Sequence, residues 1–164
     1  MEEAITNATV LILLSKIGRL NLLQIYNPIL TTPQIRAEVL GKKEFPIKEK
    51  TDLEQYFSDN IKIESAVHNL DLDLGYGETS ALSLCIEKKI RVFLSDDKKA
   101  RKTAEVLSIK VIGTLGIILE NIRQNKITKQ EAKKILRLLL ECSYYLSAET
   151  YAKIIDLIEN KSCI

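Results

Sequence analysis

Apolar residues along this 164-residue chain follow two rhythms: short unbroken or alternating runs, and longer stretches in which they recur every three or four positions. The first marks strands and the second amphipathic helices, and their alternation predicts strand-helix units around a mainly parallel sheet. Residues 4–7 read as a short first strand, followed at once by a helical run over 10–17 that stops at Gly18. A short helix over 20–26 precedes Pro28 and a strand over 29–32; Pro33 then suits the first turn of a helix over 34–40, ended by Gly41. Residues 42–50 hold four Lys, two Glu and Pro46 and read as a mobile surface loop.

Beyond a helical patch at 52–57, Ile61-Lys62-Ile63-Glu64 alternates at period two, as a half-exposed strand would. Gly75-Tyr76-Gly77 reads as a turn, and 78–88 as a helix with Ala81, Leu82, Cys85 and Ile86 on one face. A strand at 91–95, a helix at 98–107, a strand at 110–112 and a helix at 114–123 complete an α/β core over residues 1–126. From 127 to 164 the pattern is purely helical. Thr128 and Glu131 form a capping-box signature ahead of Ala132, Ile135, Leu136 and Leu139. A last helix, capped near Ser147, places Tyr151, Ile154, Ile155 and Ile158 on one stripe. Two helices alone bury too little surface to stand apart, so the expectation is one domain over 1–164: a three-layer α/β/α unit carrying a C-terminal helical pair.

Composition narrows the chemistry. The chain has a single His, His68, three Cys and no Trp. One His cannot supply a two-His metalloprotease helix, and it has no nucleophile motif beside it. Cys85, Cys142 and Cys163 lack the paired spacing of a zinc site and read as reduced, mostly buried thiols. Catalysis, if present, falls to carboxylates. Met1-Glu2-Glu3 is acidic where a signal peptide is basic, and the apolar run at 8–14 is far short of the roughly 20 residues that span a bilayer. A soluble, cytoplasmic protein without membrane association is expected.

Polar residues that packing does not require stand at four strand exits or helix starts: Asn7, Glu38, Glu78 and the pair Asp96-Asp97. In open parallel sheets, ligand sites form outside the carboxyl ends of strands, so residues far apart in sequence converge there. Each also has a local role open to it: Glu78 as an acid at a helix N-terminus, Glu38 as a solvated helix residue, either Asp as a cap for the helix at 98. One cap suffices, which leaves the second Asp for another task. Net charge is only +2, yet residues 88–102 carry seven cations against two carboxylates, while Asp71, Asp73 and Glu78 lie just upstream. Cations beside carboxylates suit a site that holds a polyanion together with divalent ions. An Asp pair followed by Lys also suggests a phosphorylatable receiver, but that site needs its Asp pair after the first strand, where Asn7 stands.

Several segments taken together resemble the PIN-domain nucleases: Thr6-Asn7-Ala8-Thr9, the stretch from Leu30 through Glu38, Leu74-Gly75-Tyr76-Gly77-Glu78, Leu94-Ser95-Asp96-Asp97-Lys98 and Gly113-Thr114. More narrowly, they resemble a prokaryotic branch associated with toxin–antitoxin pairs. The resemblance implies a central parallel sheet and an acidic pocket binding Mg²⁺ or Mn²⁺ for hydrolysis of RNA. It implies an antitoxin partner and a homodimer as well. Glu38, Glu78 and Asp97 match the family carboxylates, with Asp96 beside them as secondary ligand or water-positioner. Thr9 and Thr114 match hydroxyl positions at the substrate, although both also suit helix caps. Lys98, Lys99, Arg101 and Lys102 would hold the flanking backbone. Oxygen-only donors independently favour Mg²⁺ or Mn²⁺ over zinc.

The sequence departs from the family at Asn7, where the first strand normally ends in Asp. An amide oxygen still ligates a metal, but it is uncharged and cannot act as a base. Unit charges about 4 Å apart interact by roughly 4 kcal/mol at an effective dielectric of about 20, so losing one weakens metal binding even after competing hydration. Two readings follow: a metal-dependent ribonuclease with reduced activity, or a catalytically inactive PIN-like module that binds RNA or a protein partner. Aromatic content of 5% offers few stacking platforms, so sequence-specific base readout is not suggested.

Overall fold

Five strands, β1 (Glu2–Thr6), β2 (Tyr26–Thr31), β3 (Ile61–Ile63), β4 (Val92–Leu94) and β5 (Lys110–Ile112), form one sheet in the order β3-β2-β1-β4-β5. Every pairing is parallel. The computed structural model describes residues 1–43 and 45–160, so Cys163 lies outside the described residues. Helices α1 (Ala8–Lys16), α2 (Pro33–Leu40), α3 (Ile47–Asn60), α4 (Tyr76–Lys88), α5 (Lys98–Val106) and α6 (Thr114–Arg123) connect and cover the strands, giving the expected three-layer α/β/α architecture. The helices α7 (Lys129–Glu141) and α8 (Ala148–Asn160) pack on each other and on α6.

The chain starts at the centre of the sheet, builds outward through β2 to β3, then crosses back over β1 to place β4 on its other side. The direction of winding therefore reverses between β1 and β4. Outside the carboxyl ends of strands flanking such a reversal lies the crevice where open α/β sheets bind ligands. Ala4, Ile5, Val92, Phe93 and Leu94 are fully buried, so the strands leading to this point are anchored in the core.

The second strand starts at Tyr26 rather than Ile29 and runs through Pro28. Proline removes a ladder donor, and the sheet accommodates it at a register shift: Glu2 pairs with Tyr26, but Ala4 pairs with Ile29. The expected loop at 42–50 is shorter, because α3 begins at Ile47; its charged residues form a solvent face while Leu53 and Phe57 are buried. The fourth helix starts two residues early, at Tyr76, and its Ile86 is 43% exposed, its buried side being completed by Leu84. Ala132, Ile135, Leu136 and Leu139 are all buried as their spacing predicts, and the capping box at Thr128 and Glu131 is formed. In α8, Ile154 and Ile158 are buried while Tyr151, in the first turn, is exposed. Cys85 is buried and Cys142 half-buried, both as free thiols.

Candidate active site

At the reversal between β1 and β4, Asn7 is 1% exposed and caps α1, its Oδ1 accepting from the Ala8 amide at 2.8 Å. Its Nδ2 donates to Ser95 Oγ at 3.1 Å, and the Asp97 amide donates to the same oxygen at 3.2 Å. Ser95 thus ties the end of β1 to the acid pair after β4, and the Asn7 amide reinforces the link by donating to the Leu94 carbonyl at 2.8 Å. Asp97 is the cap of α5: Oδ1 accepts from Ala100 N at 2.7 Å, and no described residue donates to its Oδ2.

Asp96 faces the other way. Its Oδ1 accepts from the Thr114 amide at 3.0 Å and from the Tyr144 hydroxyl at 3.1 Å, and its Oδ2 accepts from Thr114 Oγ1 at 2.6 Å. Thr9 Oγ1 accepts from the Asp96 amide at 3.2 Å, which fixes the backbone of the pair from β1's side. Gly113 leaves room for this arrangement: a Cβ at that position would sit 2.7 Å from Asp96 Oδ1 and 3.0 Å from Arg101 Nη1, so the Asp96 carboxylate would have to shift. Burial and the neighbouring Asp96 carboxylate together push the Tyr144 hydroxyl pKa up, so it stays protonated and donating.

Glu38 lies on α2, which follows β2, and Glu78 on α4, which packs on α2, β1 and β4. Glu38 is exposed on α2, and Glu78, half-buried in the first turn of α4, folds back over Gly75. The two helices pack together, with Thr32 Oγ1 and Ser80 Oγ 2.7 Å apart and Gly77 so close to α2 that a Cβ there would lie 3.1 Å from Glu38 Oε2. Neither glutamate makes a hydrogen bond or ion pair with a described residue, so both carboxylates keep their full acceptor capacity. Among the described residues, no three His, Cys, Asp or Glu side chains are posed around one point as ligands. The donor set nonetheless fits a hard divalent ion: three carboxylates with uncommitted oxygens and one amide, all oxygen.

The basic residues are divided. Lys99 pairs with Asp73 at 2.9 Å, Arg101 stands beside Gly113 and Asp96, and Lys98 and Lys102 are exposed. Two residues absent from the sequence-based candidates organise the site. Ser95 was readable only as the end of a strand, and Tyr144, between α7 and α8, carries no local signal for a partner 48 positions away.

A family model for the PIN domain matches residues 3–160. No curated protein matches the chain. The parallel five-stranded sheet, with its acid pair at the reversal between β1 and β4, is a nuclease-type fold, and the chain belongs to the PIN-domain family.

Proposed function

We propose that this protein is a divalent-metal-dependent ribonuclease whose activity is reduced by Asn7. The observation that carries the reading is the convergence of Asn7, Ser95 and Asp97 where the winding of the sheet reverses between β1 and β4; Glu38 and Glu78, on the mutually packed helices α2 and α4, supply uncommitted carboxylates. Glu38, Glu78 and Asp97 would hold Mg²⁺ or Mn²⁺ with Asn7 as a neutral ligand; such an ion supplies a nucleophilic water at neutral pH and neutralises charge developing on phosphate. Asp97 does this through Oδ2 while Oδ1 caps α5. Asp96, whose Oδ1 accepts from Thr114 N and Tyr144 and whose Oδ2 accepts from Thr114 Oγ1, would act as the secondary ligand or water-positioner through the remaining lone pair of Oδ2. Of the two hydroxyl positions Thr9 is half-buried and would face the substrate side of that turn, whereas Thr114 is fully buried and serves Asp96; Lys98, Arg101 and Lys102, with Lys99 once released from Asp73, would hold the RNA backbone. Asn7 cannot accept a proton, so general-base work falls to Glu38, Glu78 or Asp97.

The motif resemblance extends this reading to the toxin of a toxin–antitoxin pair, acting on cytoplasmic RNA as a homodimer under the control of a protein antitoxin. A second reading, a non-catalytic RNA- or protein-binding module, is favoured by the commitment of Asn7 to a helix cap and to Ser95. Calorimetric titration with Mn²⁺, alongside an RNA cleavage assay, separates the two. The ribonuclease reading expects binding and slow cleavage by the native protein, both strengthened in Asn7→Asp. Absence of both in the native protein supports the second reading.

A further inference from the structure

Around Glu38 the surface holds a shallow, widely open cleft of about 600 Å³, lined by Pro33, Gln34, Ala37, Tyr76 and Gly77. Tyr76, 68% exposed, brings one of the chain's few aromatic rings to this surface. It is the first residue of α4 and lies two positions before Glu78; the hydroxyl makes only a long 3.5 Å contact with Gln34 Nε2. Most of the ring's surface is therefore open to solvent. Gly77 keeps the floor open, since a side chain there would press on Glu38 and Ile35. Gln34 also lines the cleft, and its Oε1 is covered with no hydrogen-bond donor among the described residues, so its amide has acceptor capacity that the protein leaves unused.

We infer that this cleft is a nucleobase subsite, in which Tyr76 stacks on one unpaired base of the RNA and Gln34 hydrogen-bonds its edge. The inference rests on the ribonuclease reading, because Glu38 on the cleft's rim sets the base directly next to the proposed metal ligands. The chemistry is that of single-stranded recognition: every base has a π-face to stack, and an amide offers both a donor and an acceptor to its edge. A duplex cannot use the site, as its bases are already stacked on one another. The low aromatic content thus conceals one ring placed where it serves substrate selection.

The test is fluorescence anisotropy with a labelled, non-cleavable 2′-O-methyl single-stranded 8-mer, measured without metal so that the readout is independent of catalysis. Tyr76→Ala is expected to weaken binding about 5- to 150-fold, the range of one base–aromatic stack. Tyr76→Phe should restore it nearly fully, and the matching duplex should bind no better to the native protein than to Tyr76→Ala. Gln34→Leu should narrow the affinity differences among oligo-A, oligo-C and oligo-U while Tyr76→Ala lowers all three. Native protein that does not bind the 8-mer, or equal affinity of native and Tyr76→Ala, overturns the subsite even if cleavage is observed. Loss of cleavage in Asp97→Asn with 8-mer binding intact bears on the ribonuclease reading alone.

Discussion

Asn7 and Ser95, 88 positions apart, are joined by a 3.1 Å hydrogen bond across the centre of the sheet, and the same Ser95 oxygen accepts from the Asp97 amide. The neutral residue at the end of β1 is thus built into the site. Replacing it by Asp keeps the Ala8 cap, and the Ser95 hydroxyl can rotate to donate to the new carboxylate. Asn7→Asp should therefore fold, bind Mn²⁺ at least about tenfold more tightly than the native protein, and gain more in Tm on Mn²⁺ addition. Thermal unfolding with and without Mn²⁺ checks this; an equal metal-induced shift in both proteins removes Asn7 from the metal account.

Tyr144 holds Asp96 from the segment between the last two helices. Tyr144→Phe removes that donor and leaves both Thr114 donors, so a loss of about 1–2 kcal/mol is expected in urea unfolding. Combined with Thr114→Val the effects should not add, because both act on one carboxylate. Strict additivity would mean that the Tyr144 hydroxyl acts independently of Thr114, and no loss in Tyr144→Phe would mean that Tyr144 contributes by packing alone.

Neighbouring leucines on α7 separate packing from surface. Leu139 is fully buried and Leu140 is 39% exposed. Leu139→Ala should cost about 2–5 kcal/mol and Leu140→Ala under about 0.5 kcal/mol. Comparable losses from chemical denaturation would place the helix in a different rotation on α6.

Arg123 and Gln124 hydrogen-bond the Glu120 carboxylate and hold its pKa down to about 2, against an ordinary 4.5. A depressed folded-state pKa contributes stability above about 4.5 that is lost as pH falls toward about 2. The native protein should therefore lose stability over that window more steeply than Glu120→Gln. Parallel stability curves for the two between pH 5 and about 2 would contradict the assignment.

Much of the fold was legible because local rules governed it. Thr128 and Glu131 lie three apart and satisfy each other within one turn, and the stripe through Leu139 follows the helical period. The start of β2 was not legible, since Pro28 argues against a strand until its neighbour supplies a register shift. Nor was the exposure of Ile86, which depends on what the helix packs against. For the site, sequence supplied the acidic positions but not their division of labour. That Asp96 is turned to Thr114 while Asp97 caps α5 depends on partners 18 and 3 positions away, and only the nearer one leaves a local pattern.

Most direct is a cleavage assay on single-stranded RNA with Mn²⁺, comparing the native protein with Asp97→Asn. Asparagine caps a helix about as well as aspartate, so this substitution removes the charge while keeping α5 in place. The account predicts slow, chelator-sensitive cleavage by the native protein and its loss in Asp97→Asn at unchanged Tm; equal cleavage by both proteins, or cleavage that survives chelation, would contradict it.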